Sequence, residues 1–515
     1  MAELSLTVRA VAAILRVVSP ARAVAYLREQ MTYEIQRAYM AAKTTGSDTK
    51  WRPTQSSGAQ ENVAAWQAVT NKARDLARNN PYIVGARRRF RSNLVGEGIW
   101  PRPKIRNNGA RSRHELNREL NQDILDRWER WTPTASANGD SLYQLQRTAA
   151  NHDFDDGGFL VQRLILKREL RLKLMECDHL DTARDREYSP SQNRIVGGIE
   201  VDANNAPVAY WIRPMHPSET QTESVRVPAE DIIHVFDRSR ASDVIGIGSY
   251  ASVVQNFFRL NEYAYSTMDS ARLQNHFSVF IETPYIDEYG NVSEVKSGTE
   301  VVPTTVERRA QYLEPAAIKY CLPGEKPHMV KPESPGSQYG PFLTKELQAA
   351  SVGAGVSYES ISHDGSQTNF AGSRQLLIIE RSYTKMVQAR WEEQFHAKIY
   401  RWFIDYERQF GKPPLAMPGF DERAYDFLRV SFSRPIQEWV DPLKDVQARK
   451  EKILMGLSTL TDEAEDMGTD IEEINATLLY EQSLEGIATL RAVDKPGERQ
   501  EEDPDQEATD ANPNE

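Results

Sequence analysis

With 515 residues the chain exceeds one small domain, and its length suggests roughly three structural units. At 40% apolar and 27% charged residues it has the balance of an ordinary soluble protein; its longest early apolar run, 10–15, is stopped by Arg9 and Arg16, so no membrane span is expected. Two cysteines, Cys177 and Cys321, exclude a disulfide scaffold and a Cys-based metal site, and the net charge of -11 is unevenly placed: residues 72–113 carry about +10 and residues 494–515 carry -7.

In chain order, "MAELSLTVRAVAAILRVV" lacks the basic start and unbroken apolar stretch of a secretion signal, and residues 1–50 read as amphipathic helices. Residues 51–247 read as an α+β unit. Its later part holds the strand-like runs "GGFLVQRLIL", "LRLKLMEC" and "EDIIHVF", with "VDANNAPVAYWI" as a hairpin whose Asn204 and Asn205 suit positive φ. Over 248–282 the period lengthens to three or four, through Val253, Phe257, Leu260, Ala264, Met268, Ala271 and Asn275, predicting a helix of roughly 45 Å. Seven prolines then crowd 284–335, so 283–340 reads as a compact insertion with strand-like "SVFIET", "IKYCLP" and "HMVKP".

Helix returns over 341–357, started by Pro341 and ended by Gly353 and Gly355. The polar stretch "SHDGSQTNFAGSRQ", residues 362–375, follows, interrupting the longest proline-free run of the chain, 342–412. Residues 375–440 begin with about nine turns of helix carrying Leu376, Ile379, Tyr383, Met386, Trp391, Phe395, Ile399, Trp402 and Tyr406 on one stripe. That length exceeds an average globular helix and implies crossing several layers or subunits. The stripe, with Trp391, Trp402 and Phe403, reads as core rather than a ligand box. Residues 441–493 read as a small helical unit, and 494–515 as a disordered acidic tail with too little apolar surface to order.

No GxxxxGK[ST], HExxH, nucleophile elbow or paired CxxC occurs, which removes a P-loop motor and the commonest hydrolases. "HDFDDGG" and "CDHLD" place His152, Asp153, Asp155, Asp156, Asp178, His179 and Asp181 where they could hold Mg²⁺ or Mn²⁺, or shape turns at strand ends. Arg87, Arg88, Arg89 and Arg91 around Phe90 suit phosphate contact, a solvated helix face or a subunit contact. "GIGSY" lacks a βαβ setting, so Gly246 and Gly248 read as turn residues.

The order of these elements resembles the lambda-type family of tailed-phage portal proteins. The carriers are "ARDLARNNPYIVGARRRFRSNLVGEGIWPRP", the Trp128 and Trp131 pair followed by "DSLYQLQRTAANHDFDDGGFLVQRL", "RVPAEDIIHVF", "LPGEKPHMVKPESPGSQYGPFLTKELQAASVGAGVSYESIS", "NFAGSRQLLIIERSY" and "EWVDPLKDVQARKEKILMGLSTLTDEAEDMGTDIEE". The resemblance implies a portal-type fold and a homo-oligomeric ring, typically a dodecamer, at one capsid vertex, with an axial channel for double-stranded DNA during packaging and ejection. It makes 51–247 the wing, 248–282 and 341–357 the stem helices, 283–340 the clip, 358–374 the tunnel loop, 375–440 the long wing helix with a return strand, and 441–493 the crown. It implies further partners in the terminase large subunit, head–tail connector proteins, and the major capsid and scaffolding proteins, with no cofactor, no enzymatic activity and no membrane.

A loop tip beside moving DNA should touch any sequence and hold none, which small neutral hydrogen-bonding side chains do better than lysines. His363, Gln367, Thr368, Asn369 and the lone Arg374 are thus the expected DNA-facing set, with Asp364 beside Gly365 shaping the turn. Arg87, Arg88, Arg89 and Arg91 are expected on the outer wing, facing packaged DNA or a neighbouring subunit. The competing reading is a metal-dependent nucleic-acid enzyme that uses the 152–181 acidic cluster.

Overall fold

The computed structural model describes residues 55–107, 116–220, 222–275, 279–282, 326–329, 339–366, 370–435, 442–467, 469 and 471–482. The expected N-terminal helices, most of the proline-rich insertion with "IKYCLP", and the acidic tail lie outside them. Within the unit Gly58–Glu515, helix α1 (Gly58–Asn79) leads directly into α2 (Pro81–Leu94). Asn80 caps α2 by accepting from the amides of Tyr82 and Ile83, and Pro81 occupies the position whose amide needs no partner. After the short strand β1 (Pro101–Pro103) come α3 (Arg118–Trp131), capped by Asn117, and α4 (Leu142–Asp156), capped by Ser141.

Strands β2 (Gly158–Leu166) and β3 (Glu169–Met175) form a hairpin. Its two-residue turn places both Lys167 and Arg168 at positive φ, the geometry that matches strand twist. Four short strands follow as an antiparallel meander: β4 (Arg194–Val196), β5 (Ile199–Val201), β6 (Pro207–Ile212) and β7 (Val225–Pro228). The β5–β6 hairpin is the one expected, although only Asn205 takes positive φ; Asn204 instead donates its amide to Asp202. Strand β8 (Ile232–Phe236) returns to pair with β2, completing a sheet of order β3-β2-β8.

The chain then leaves through α5 (Val254–Asn275), reaches β9 (Val279–Glu282) and β10 (Lys326–Met329), which pair antiparallel, and returns through α6 (Tyr339–Ala354). The expected helix over 248–282 is therefore shorter, about 33 Å at 1.5 Å per residue. A 3₁₀ turn at Ala251–Val253 precedes it, and the β-branched and aromatic run after it pairs as a strand. Gly355 at φ +69° ends the α6 region. A short helix α7 (Tyr358–Ser362) and the first turns of α8 (Phe370–Trp391) occupy much of the stretch read as loop.

Helix α8 continues through a π-helical segment (Glu392–His396) into α9 (Ala397–Phe410), followed by α10 (Phe420–Phe427) and β11 (Val430–Phe432), which pairs with β1. Three helices close the described chain: α11 (Pro442–Leu454), α12 (Leu460–Asp466) and α13 (Ile471–Gln482). The main core lies where α1, α2, α4 and the α8–α9 rod cover the β3-β2-β8 sheet, with Phe159 packed against Trp391 and Phe395. Trp128 and Trp131 meet Phe403 edge-on and tilted. A second core fills the meander around Trp66, Leu160 and Tyr210.

The expected apolar stripe of the rod divides between Met386 and Trp391, ahead of the π segment. Trp391, Phe395, Ile399 and Trp402 are buried, whereas Ile379 and Met386 are 60% and 59% exposed. The buried face of the preceding turns carries Glu380, Thr384, Val387 and Gln388 instead, one position away from Ile379 and Met386, so a stripe continuous in sequence faces two directions in space.

Gly157 (φ +83°) ends α4 and lies against Ile247 and Gly248, while Gly246 lies against Gly157. A Cβ on Gly248 would sit 2.3 Å from the carbonyl oxygen of Asp155, so these glycines permit backbone contact as well as turning. Gly248→Ala should lower unfolding free energy by roughly 2–4 kcal/mol. Gly139→Ser, in open space though also at positive φ, should cost clearly less; denaturant titration of both variants checks the ordering.

Candidate functional site

The polar stretch begins as a knot of local bonds. Ser357 caps α7, its hydroxyl accepting from the amide of Ser360 at 3.3 Å, and His363 closes the helix in the left-handed region at φ 54°, donating its amide to Glu359. Asp364 accepts the Tyr358 hydroxyl at 3.1 Å and the Ser366 amide at 3.0 Å, and hydrogen bonds from Ser366 and then Tyr358 hold its carboxyl below the ordinary range. His363, Gly365 and Ser366 are exposed. Gln367, Thr368 and Asn369 lie outside the described residues. Arg374 stands on α8, with its guanidinium 3.3 Å from Asp445 of α11.

Beneath the tip a buried carboxylate holds its foot. Glu380 of α8, 6% exposed, accepts from Arg89 (2.9 Å) and Asn93 (2.7 Å) of α2. It also accepts the hydroxyls of Ser357 (2.8 Å) and Ser360 (2.9 Å). Burial acts to raise this carboxyl, but the bonds from Arg89, Ser357 and Ser360 prevail and hold it below the usual glutamate range. Glu380 thus ties the start of the stretch to α2, while His363 and Ser366 stay in water.

The arginine cluster is partly consumed by the protomer itself. Arg89 serves Glu380, and Arg87 turns inward to Asp155 at 3.0 Å. Arg91 is half-buried, its acidity increased by burial and by Arg147 and Arg87, whereas Arg88 is exposed. Among the four, Arg88 is the cation most available to an outside partner.

The acidic cluster is drawn apart in the same way. Asp153, Asp155 and Asp156 are 2%, 5% and 1% exposed at the end of α4. Asp153 accepts from Arg390 (2.6 Å) and the Trp391 indole (2.8 Å). Asp155 accepts from Arg87 and from the Tyr250 hydroxyl (3.0 Å). Asp156 takes both arms of Arg74 at 2.8 Å, and His152 sits 2.8 Å from its other face. Burial raises Asp156, yet His152 and Arg74 bring it below its ordinary value, and Asp156 in turn raises His152 against the effect of its burial. Asp178 accepts from Arg74 at 2.7 Å, while Asp181 accepts from Arg213 at 2.6 Å and Ser224 at 2.7 Å. His179 faces the Arg213 carbonyl. The seven residues therefore do not converge on one point, and arginines occupy the places a cation would take. Among the described residues Glu176, Asp178 and His216 do come within metal-binding reach of one another, with Arg74 already 3.1 Å from Glu176.

Sequence reasoning missed Glu380 and Arg390, which looked like solvated charges on a helix of mixed polarity. Each is partnered from an element hundreds of residues away, and no local spacing marks that.

With this geometry in place, comparison with known proteins gives the following. The family model for phage portal proteins of the lambda family matches residues 44–388. A probable portal protein of Halomonas phage phiHAP-1 is 23% identical over 498 residues, covering 90% of this chain and 88% of that protein. Portal protein B of Escherichia phage lambda is 21% identical over 454 residues, covering 82% and 84%. Among solved structures, a chain in the neck of a native gene transfer agent particle overlays with a TM-score of 0.44 at 14% identity, covering 77% of this chain and 93% of that one. The chain belongs to the lambda family of phage portal proteins, and its role is that of a portal in the phage particle.

Arg87→Glu places a second charge against buried Asp155 and should destabilise the protomer by roughly 3–5 kcal/mol, whereas Arg88→Glu should stay within about 0.5 kcal/mol of the parent. Denaturant titration separates the two. Glu380→Gln should cost about 1–3 kcal/mol at neutral pH. Because the folded carboxyl lies below the ordinary glutamate value of 4.5, the contribution is complete above that value and disappears as pH falls through the lower folded one. The gap between parent and variant, followed by urea titration at descending pH, should therefore narrow in acid.

Proposed function

We propose that the chain is a non-enzymatic subunit of a closed ring, a dodecamer, whose axial channel passes double-stranded DNA into the capsid during packaging and out during ejection. One observation carries this reading. Helices α5 and α6 run antiparallel, with Gly353 against Val253 and Tyr263 against Tyr339 and Phe342, yet the pair leaves large apolar side chains in water. Phe258, Tyr265, Met268 and Val352 are exposed, Val352 to 82%. A two-helix projection has no interior in which to bury them, and a neighbouring copy presenting the same pair does.

On this reading α5 and α6 are the stem, residues 51–247 the wing, 283–340 the clip, 358–374 the tunnel loop, the α8–α9 rod the long wing helix, and 441–493 the crown. His363, Asp364, Gln367, Thr368, Asn369 and Arg374 form or border the tip that faces the channel. Its neutral composition supports brief, sequence-independent contact, and one added lysine would be multiplied around the ring into a sink for phosphates. Arg374 borders this set, because it also reaches Asp445. Arg87, Arg88, Arg89 and Arg91 form the basic wing patch, with Arg88 its outward member. The paired strands β9 and β10 support a docking role for the insertion that contains them, since a strand edge can be extended by a partner. The partners would be the terminase large subunit during filling and head–tail connector proteins afterwards, with major capsid and scaffolding proteins around the vertex. Assembly would take place in the host cytoplasm. Among the described residues no helix is long and apolar enough to cross a membrane.

Negative-stain images of the purified protein should show annular particles with a central hole. Phe258→Asp combined with Val352→Asp, both exposed in the protomer, should leave the protomer folded and abolish the rings. Intact rings in that variant, or a parent that stays monomeric, would refute the assembly. Replacing Gln367, Thr368 and Asn369 by lysine should preserve the rings and reduce packaged DNA; undiminished packaging would remove these residues from the channel.

A further inference from the structure

Between α8 and α11 runs a groove of about 820 Å³. Its lining includes Arg381, Lys385, Arg434, Arg449 and Lys452, against only Asp445 and Asp466. Both of those carboxylates already face cations: Asp445 lies 3.3 Å from Arg374, and the charge of Asp466 acts on Arg434. Arg434 and Arg449 are committed to Glu392 and Glu463. Lys385 and Lys452 are exposed and have no ion-pair partner among the described residues, so the groove presents uncompensated positive charge. Ile378, 55% exposed, and Met467 add apolar surface beside it.

The chemistry called for is a short, extended, anionic segment with some freedom from water. The volume of the groove falls within the range of a ligand cleft, about 300–1,000 Å³. This chain carries such a segment. Residues 501–510, "EEDPDQEATD", hold six carboxylates and no cation. The described chain ends in α13, which packs on α12, and α12 supplies Asp466 of the groove wall. From Gln482 to residue 501 the backbone can span about 60 Å, so reach imposes no limit.

We propose that the groove between α8 and α11 is the docking site for the acidic C-terminal segment of this chain, centred on residues 501–510. Charge complementarity selects the segment, Lys385 and Lys452 are its principal counter-ions, and partial exposure makes the contact sensitive to salt. The inference holds whether or not the chain forms rings.

Zero-length carbodiimide coupling of the intact full-length protein tests it, because amide bonds form only where a carboxylate touches a lysine. At low salt, the cross-links of residues 501–510 should concentrate on Lys385 and Lys452 and fall roughly tenfold in high salt. Exposed Lys345 and Lys450 serve as controls. In full-length protein carrying Lys385→Glu and Lys452→Glu, removal of the tail by a glutamate-specific protease should accelerate by roughly tenfold. Cross-links scattered evenly over surface lysines, or an unchanged proteolysis rate in the double variant, would overturn the proposal. So would a duplex oligonucleotide that binds the parent and is lost in the double variant while residues 501–510 give no preferential cross-links to Lys385 or Lys452, which would assign the groove to DNA.

Discussion

Three buried carboxylates at the end of α4 set the frame of this molecule. A helix C-terminus is already the negative end of the backbone dipole, so Asp153, Asp155 and Asp156 there are unfavourable unless each is matched. Each is matched by an arginine from a different helix: Arg390 of α8, Arg87 of α2 and Arg74 of α1. The penalty for an unpaired buried charge fixes those three helices relative to α4 more strictly than apolar packing, which tolerates sliding. Gly157, which ends α4, then brings the backbone against Ile247 and Gly248, just ahead of the point where the chain departs into α5. One node thus orients the helical layer and the root of the projection.

A second carboxylate extends this order outward. Glu380 is shared between α2 and the cap of α7, so the base of the polar tip is tied to the helix whose Arg87 serves the first node. Beyond it, His363, Gly365 and Ser366 are exposed, and Asp364 shapes the turn between them. A base held by a buried carboxylate under these exposed residues supports the proposed tip.

Apolar exposure is concentrated in particular elements. It runs along α5, α6 and the first part of α8, and recurs at Leu443, Leu454 and Leu479 of the closing helices and at Leu457 in the turn between α11 and α12. The main core is closed, with Trp391, Phe395 and Phe403 fully buried. A protomer with a finished core and unfinished projections is built to be completed by others of its kind, and this distribution supports the ring.

Some of this was legible in the residues alone. Most helix and strand periods and the turn at Asn205 follow from local chemistry, because capping, φ preference and side-chain period act within a few positions along the chain. The expected length of α5, the continuous stripe on the rod and the grouping of the acidic residues as one cluster did not survive in that form. The strand after Asn275 depends on pairing with residues 326–329; the first turns of α8 bury Glu380, Thr384 and Gln388 in place of Ile379 and Met386; and Asp153, Asp155 and Asp156 point to three different arginines. Sequence by itself therefore determined which elements exist and where the chain turns, whereas only the tertiary structure decided which charges are spent inside and which are left for a partner. The reason is physical: backbone preference acts locally, but the free energy of an ionised group depends on whatever the fold brings within a few ångströms of it.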